Sequence, residues 1–127
     1  MALFPCLQGG GSSSSETTLW TNPSPTSELG AQTITLSDNI SNYRYIKFVF
    51  NASNTTSEQY EVIFSVNTIT NAITGNGKPV IGINSTQSTG QVVTRRVIYV
   101  SDTSLQIMAV DGGYNNRSII TAIKGVS

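Results

Sequence analysis

A two-residue alternation of apolar and polar side chains runs through most of this sequence, from Leu19-Trp20 almost to Ser127. Clusters of Asn, Gly, Pro, Ser and Asp interrupt it about every eight to twelve residues, which is typical of short β-strands joined by turns. No segment keeps an apolar period of about 3.6 residues long enough to predict a helix. The pattern therefore predicts an all-β chain.

Eight short strands joined by turns fit an antiparallel two-sheet β-sandwich, jelly-roll-like in type, and a closed barrel is the alternative. The third strand has apolar side chains on both faces, so we expect it in the middle of a sheet, with the fourth strand beside it as a hairpin. Residues 67–78 are expected to form a long loop with room for a short strand. The strands are expected at Thr17–Thr21, Gln32–Ser37, Tyr43–Asn51, Tyr60–Val66, Val80–Asn84, Gln91–Ser101, Leu105–Val110 and Ile119–Val126.

A Gly/Ser run at residues 9–15 divides the chain into an N-terminal segment, residues 1–15, and a β-domain, residues 16–127. Gly/Ser-rich sequence behaves as a flexible coil. Leu3, Phe4 and Leu7 precede this linker and are apolar, so they are either incidental or the anchoring residues that dock on another protein. Within the β-domain, Trp20 is expected to anchor the core beside a proline-rich exit.

The chain is weakly charged, with 11% charged residues and a formal net charge of zero. Nucleic acid and anionic membranes are bound largely through Lys and Arg, so we expect neither as a partner. No apolar stretch approaches the roughly 18 residues of a membrane helix, and the first residues do not form a secretory signal, so we expect no membrane insertion and synthesis in a cytoplasm. A net charge near zero also gives little repulsion between copies.

Composition excludes most catalytic chemistry. The sequence has no histidine, which excludes Ser-His-Asp and Cys-His centres and metal sites that use imidazole. Its single cysteine, Cys6, excludes an internal disulfide and a cysteine-based zinc site. The seven acidic residues are scattered, whereas a glycosidase needs two carboxyl groups facing one cleft. We therefore expect no enzyme, no cofactor and no metal.

Aromatic side chains are the remaining candidates for recognition, because tyrosine offers an apolar face and a polar rim to a sugar ring. Tyr114 is the best of them, since it lies in a polar loop next to Asn115 and Asn116. These three residues are the predicted contact with a glycan or a partner protein.

Arg95 and Arg96 form the only adjacent basic pair in the sequence. Their side chains point to opposite faces of an alternating strand, so they cannot form one basic patch. Arg95 is a candidate protomer contact, with Glu58 or Glu61 as its partner. A solvated strand residue is the alternative interpretation.

Four short motifs stand out in the β-domain, namely LWTNPSP at residues 19–25, AQTITL at 31–36, RRVIYVS at 95–101 and the closing residues 119–125. They resemble small virion proteins encoded in the structural modules of tailed bacteriophages of gut bacteria. The resemblance covers roughly residues 19–127. In those proteins a short Gly/Ser-containing start precedes a β-domain associated with tails, fibres or other virion surfaces.

The resemblance implies a structural or accessory virion component that displays a β-domain for assembly and surface contact, on a tail, a tail fibre or as a decoration protein. Its expected partners are other virion proteins and further copies of itself, as a trimer or larger ring. It would be made in the host bacterial cytoplasm and end in the virion. The alternative is a carbohydrate-binding module that attaches the phage to host surface glycans.

Overall fold

The structure is a computed structural model, and it describes residues 15–54, 59–71, 79–86 and 90–127. The candidate anchoring residues Leu3, Phe4 and Leu7 lie outside the described residues, and so does Glu58. The described part of the chain contains eight strands, one α-helix and two single turns of 3₁₀ helix. The strands are β1 (Glu16–Thr21), β2 (Gln32–Thr35), β3 (Tyr45–Ser53), β4 (Gln59–Ser65), β5 (Val80–Thr86), β6 (Val92–Ser101), β7 (Ser104–Ile107) and β8 (Arg117–Val126).

The strands form two separate four-stranded sheets. Sheet A has the order β1-β8-β3-β4 and sheet B the order β2-β7-β6-β5, and every neighbouring pair is antiparallel. The predicted all-β two-sheet sandwich is confirmed, as are the central position of β3 and its hairpin with β4. The connections β1–β2 and β2–β3 each cross between the sheets, as in a jelly roll, whereas β5, β6 and β7 follow one another within sheet B.

Strand β3 shows how the alternation builds the core. Ile46, Phe48 and Phe50 point between the sheets and are at most 7% exposed. Phe48 packs edge-on against Phe64 of β4, with 5.9 Å between ring centroids and 79° between ring planes. The opposite face of β3 is covered as well, since Lys47 is also buried. Burial of both faces agrees with the position of β3 between β8 and β4.

A bulge in β1 changes which side chain anchors that strand. The pairing of β1 with β8 shifts between Thr18 and Trp20, which leaves Leu19 as the extra residue. Leu19 is only 2% exposed and belongs to the core, whereas Trp20 is half-buried and packs against the core. Because a bulge re-aims the side chains around it, the expected role of Trp20 passes to Leu19.

The prediction that residues 67–78 form a loop is wrong in its first part, because Val66–Asn71 form a short α-helix, α1. The Ser65 hydroxyl accepts the Thr68 backbone N–H at 3.1 Å and caps its first turn. Val66 and Ile69, three residues apart, pack on the core from one face of the helix. Residues 72–78 lie outside the described residues.

One lateral side of the sandwich, named here the closed side, brings the edge strands β1 and β2 together. Ser37, which follows β2, donates its backbone N–H to the Leu19 carbonyl at 3.0 Å and its hydroxyl to the Thr18 carbonyl at 3.3 Å. These bonds satisfy outward main-chain groups of β1. The chain thus covers its own edge on this side.

The segment at residues 22–31 crosses from β1 to β2 on the closed side. Asn22 fastens its start to β8, because its backbone N–H donates to the Thr121 carbonyl at 2.9 Å and its side-chain amide to the Ile120 carbonyl at 3.0 Å. Leu29, near its end, is buried in the core. The opposite lateral side, named the open side, is formed by the edge strands β4 and β5.

Candidate functional site

Arg95 lies inside the protomer, and the structure corrects both interpretations of it. The residue is 0% exposed and sits on the core side of β6, between the buried Val93 and Val97. A residue with no accessible surface cannot contact another protomer or be solvated. The expected contact with Glu58 or Glu61 is therefore wrong.

All five N–H groups of the Arg95 guanidinium donate to main-chain carbonyl oxygens, which is its full donor capacity. The bonds measure between 2.7 and 3.1 Å. Burial lowers the Arg95 pKa to about 10, so the group stays charged at neutral pH. It ties the closed-side crossing to both sheets through the carbonyls of Leu29, Met108, Asn115, Arg117 and Ser118.

Tyr114 is exposed, as expected, and it stands beside an open depression of about 260 Å³. A 3₁₀ turn carries it there, in which Gly112 and Gly113 have φ of 77° and 79°, a conformation that favours glycine. The depression is also lined by Arg96 and Asp111, whose side chains form an ion pair at 2.8 Å. An aromatic face beside paired charges is an arrangement that can hold a polar ligand.

Asn115 and Asn116 contribute little to that depression. The Asn115 side-chain oxygen accepts the Val110 backbone N–H at 2.9 Å, so it stabilises the loop from within. The Asn116 backbone carbonyl accepts the Asn54 N–H at 3.0 Å. Of the three residues predicted to form one contact, the structure brings only Tyr114 to the depression.

A row of four charged side chains crosses the outer face of sheet A, with the two lysines in the middle and a glutamate at each end. Lys47 of β3 donates a short hydrogen bond to Glu16 of β1 and lies 3.4 Å from a carboxylate oxygen of Glu61 on β4. Lys124 of β8 is 3.9 Å from Glu16. The hydrogen bond from Lys47 holds the pKa of Glu16 below its usual value, and the same bond raises the pKa of Lys47.

Strand β4 exposes apolar side chains on the open side. Ile63 is 54% exposed and Tyr60 44% exposed. Among the described residues β4 pairs with β3 alone, so its other edge has no neighbouring strand. An exposed apolar edge strand is a template for pairing with another chain.

A groove separates β4 from β5 on the open side. It has a volume of about 260 Å³ and is lined by Phe50, Ala52 and Tyr60 from sheet A and by residues 84–86 from sheet B. The rings of Phe50 and Tyr60 lie 5.9 Å apart, tilted by 34°. The core residue Phe50 thus lines a surface groove on the open side.

The charged row and the exposed edge were missed from sequence, although a signal for both exists. Lys47 alternates with the core residues of β3, and Glu61 and Ile63 alternate with those of β4. In a β3–β4 hairpin these residues must share the outer face. Register decides the actual contacts, and the structure pairs Lys47 with Ile63 and Val49 with Glu61.

Neither protein-family models nor curated proteins match this sequence. None of the helices in the described residues is long and apolar enough to span a membrane. Within the same residues, no three His, Cys, Asp or Glu side chains come together as a possible metal site.

Proposed function

We propose that this protein is a non-enzymatic structural or accessory component of a bacteriophage virion. It displays its β-sandwich on a tail, a tail fibre or as a decoration protein, and it works by assembly and surface contact. Its partners are other virion proteins and further copies of the chain. It is made in the host bacterial cytoplasm and resides in the virion.

The resemblance to phage virion proteins supports this proposal through the positions of its motifs. RRVIYVS lies in β6 and the closing residues lie in β8, each an inner strand of its sheet. LWTNPSP and AQTITL contribute to β1, β2 and the closed-side crossing between them. The resemblance thus falls on the framework of the sandwich, where residues determine fold.

The exposed edge of β4 is the observation that carries the assembly role. A soluble monomer normally covers or blocks an apolar edge strand, because its unpaired main-chain groups recruit other chains. The closed side is covered in this way, whereas β4 presents Ile63 at 54% exposure. A net charge of zero adds no long-range repulsion between copies.

Particle composition tests the proposal directly. Phage particles from the bacterium that carries this sequence are purified on a density gradient, and the protein is quantified by mass spectrometry against a known capsid protein and a non-structural phage protein. We expect several copies per particle, with immunogold label on the particle surface. If the protein stays in the lysate with the non-structural protein, the proposal is wrong.

A carbohydrate-binding host-attachment module is the second candidate, favoured by the exposed Tyr114 beside the Arg96–Asp111 ion pair. A glycan array tests it with the full chain. Specific binding that Tyr114→Ala abolishes supports the module. Tyr45→Ala is the matched control, since Tyr45 is 38% exposed and Tyr114 36%. Equal loss in both variants, or no binding at all, contradicts it.

A further inference from the structure

We infer that β4 pairs antiparallel with β4 of a second copy, about a two-fold axis at Val62, and so joins two A sheets into one eight-stranded sheet. The inference rests on the proposed assembly role and names the surface and partner that this role uses. It is carried by the direction of the β4 main-chain groups, by the register and by the charges along the edge.

The outward main-chain groups of β4 follow from its pairing with β3. The Val66 N–H donates to the Arg44 carbonyl at 3.1 Å, so the main chain of β4 faces β3 at Val66, while the Arg44 N–H itself donates to Val126 of β8. Hydrogen-bonded and non-hydrogen-bonded pairs alternate along an antiparallel ladder. Tyr60, Val62 and Phe64 therefore bond to β3, and the intervening odd-numbered residues direct their N–H and C=O groups outward.

Three antiparallel registers of two β4 strands join outward groups over at least five residues of each copy. An axis at Glu61 places the two Glu61 carboxylates opposite each other, and like charges directly opposite are unfavourable. An axis at Ile63 shortens the ladder, because α1 begins at Val66. An axis at Val62 places Glu61 opposite Ile63 and engages all seven residues of β4.

The register at Val62 also matches the side chains on both faces. On the inner face Tyr60 lies opposite Phe64 of the second copy in a non-hydrogen-bonded pair, where side chains are closest and aromatic pairs are favourable. On the outer face the half-exposed Ile63 gains a neighbour, while Glu61 keeps its contact with Lys47 at 3.4 Å. The result is a two-fold dimer rather than the trimer or ring expected from sequence.

Ile63→Glu should weaken the pairing between two copies without destabilising the fold of each protomer. Within one protomer the new carboxylate lies opposite Lys47, which is a favourable pairing. In the dimer it lies opposite Glu61 of the other copy, twice by symmetry. Light scattering on the full chain should show a dimer for the natural protein and a dissociation constant raised at least about tenfold by Ile63→Glu.

Charge reversal tests the register. Adding Glu61→Lys to Ile63→Glu places opposite charges across the axis and should restore the dimer. Val92→Glu is the matched control, because Val92 is 56% exposed but lies on β6, and this variant should stay dimeric.

A second test is Val62→Cys in a Cys6→Ser background. In the dimer the two introduced thiols face each other, with their Cα atoms about 4.5 Å apart, and they should oxidise to form a covalent dimer.

A natural protein that stays monomeric at all concentrations overturns the pairing, and so does a trimer or ring that Ile63→Glu leaves intact. Failure of both the charge reversal and the Val62→Cys cross-link also overturns it. If Ile63→Glu fails to fold, the Val62→Cys cross-link, which does not contain that substitution, decides the matter. A monomer in solution leaves the virion proposal standing. Absence from purified particles overturns the virion proposal and leaves the dimer.

Discussion

The closed side and the open side of the sandwich present the same structural problem, an edge strand at the end of each sheet, and treat it differently. On the closed side Ser37 bonds to the outward carbonyls of Leu19 and Thr18, and the chain itself crosses from β1 to β2. On the open side β4 exposes Ile63, and the groove beside β5 reaches Phe50 of the core.

The difference indicates that the closed side contributes mainly to stability and the open side mainly to association with other chains. On the closed side Asn22 and Ser37 bond the crossing segments to the neighbouring strands, and the buried Arg95 adds five bonds, one of which is to Leu29 of the closed-side crossing. Stability should therefore depend most on that side. On the open side β4 has no second neighbouring strand among the described residues, so its outer edge has main-chain donors and acceptors that another chain can pair with. Substitutions on the closed side should thus lower the free energy of unfolding, and those on the open side should change association.

Arg95→Met should produce the largest loss of stability. It removes five hydrogen bonds and leaves buried carbonyl oxygens without donors, each costing about 1 kcal/mol or more, so we expect the free energy of unfolding to fall by at least about 3 kcal/mol. Urea denaturation followed by tryptophan fluorescence measures it, since Trp20 packs against the core. Residues 22–31, which form the closed-side crossing, should open first in this variant. Their backbone amides should therefore exchange with solvent faster than in the natural protein.

Arg96→Met is the matched control for Arg95→Met. It removes the neighbouring arginine, whose side chain is 47% exposed and whose only ion pair in the described residues is with Asp111. Exposed ion pairs contribute about 0 to 1 kcal/mol, so the effect should be within about 0.5 kcal/mol. Equal losses in the two variants would contradict the structural role given to Arg95.

Gly125→Ala should produce a loss of intermediate size. A Cβ atom at Gly125 in β8 would lie 2.6 Å from Cγ of the Tyr43 ring, which packs across the strand. Overpacking of this kind costs about 1–3 kcal/mol, because ring and backbone must move. Gly30→Ala is the control on the closed-side crossing, since nothing lies within 4 Å of its Cβ position. Thermal unfolding of the two variants should show a loss only for Gly125→Ala.

The strands were predictable because a two-residue period survives wherever one face is buried, and all eight observed strands overlap the expected ones. Helix α1 could not be predicted, because its six residues are rich in Val, Ile and Thr, which are poor helix formers. The helix forms because Ser65 caps it and Ile69 is buried. Arg95 was not predictable either. Its five acceptors lie between 13 and 66 residues away along the chain, so only the assembled fold makes burial of its charge favourable.

Tyr43→Phe should have the smallest effect and reports on the crossing from β2 to β3. The Tyr43 hydroxyl donates to an Asp38 carboxylate oxygen at 2.8 Å, and this bond, followed by the Asn39 N–H, holds the pKa of Asp38 below its ordinary 3.8. A lowered carboxyl pKa stabilises the fold above the unfolded value and loses that contribution as pH falls through the folded value. Tyr43→Phe should therefore raise the Asp38 pKa and flatten the loss of stability below about pH 4. Carboxyl NMR titration measures the pKa, with Tyr99→Phe as a control because its hydroxyl bonds Asp102 instead. An Asp38 pKa unchanged by Tyr43→Phe, or shifted equally by Tyr99→Phe, would show that the Tyr43–Asp38 hydrogen bond is not what lowers the Asp38 pKa.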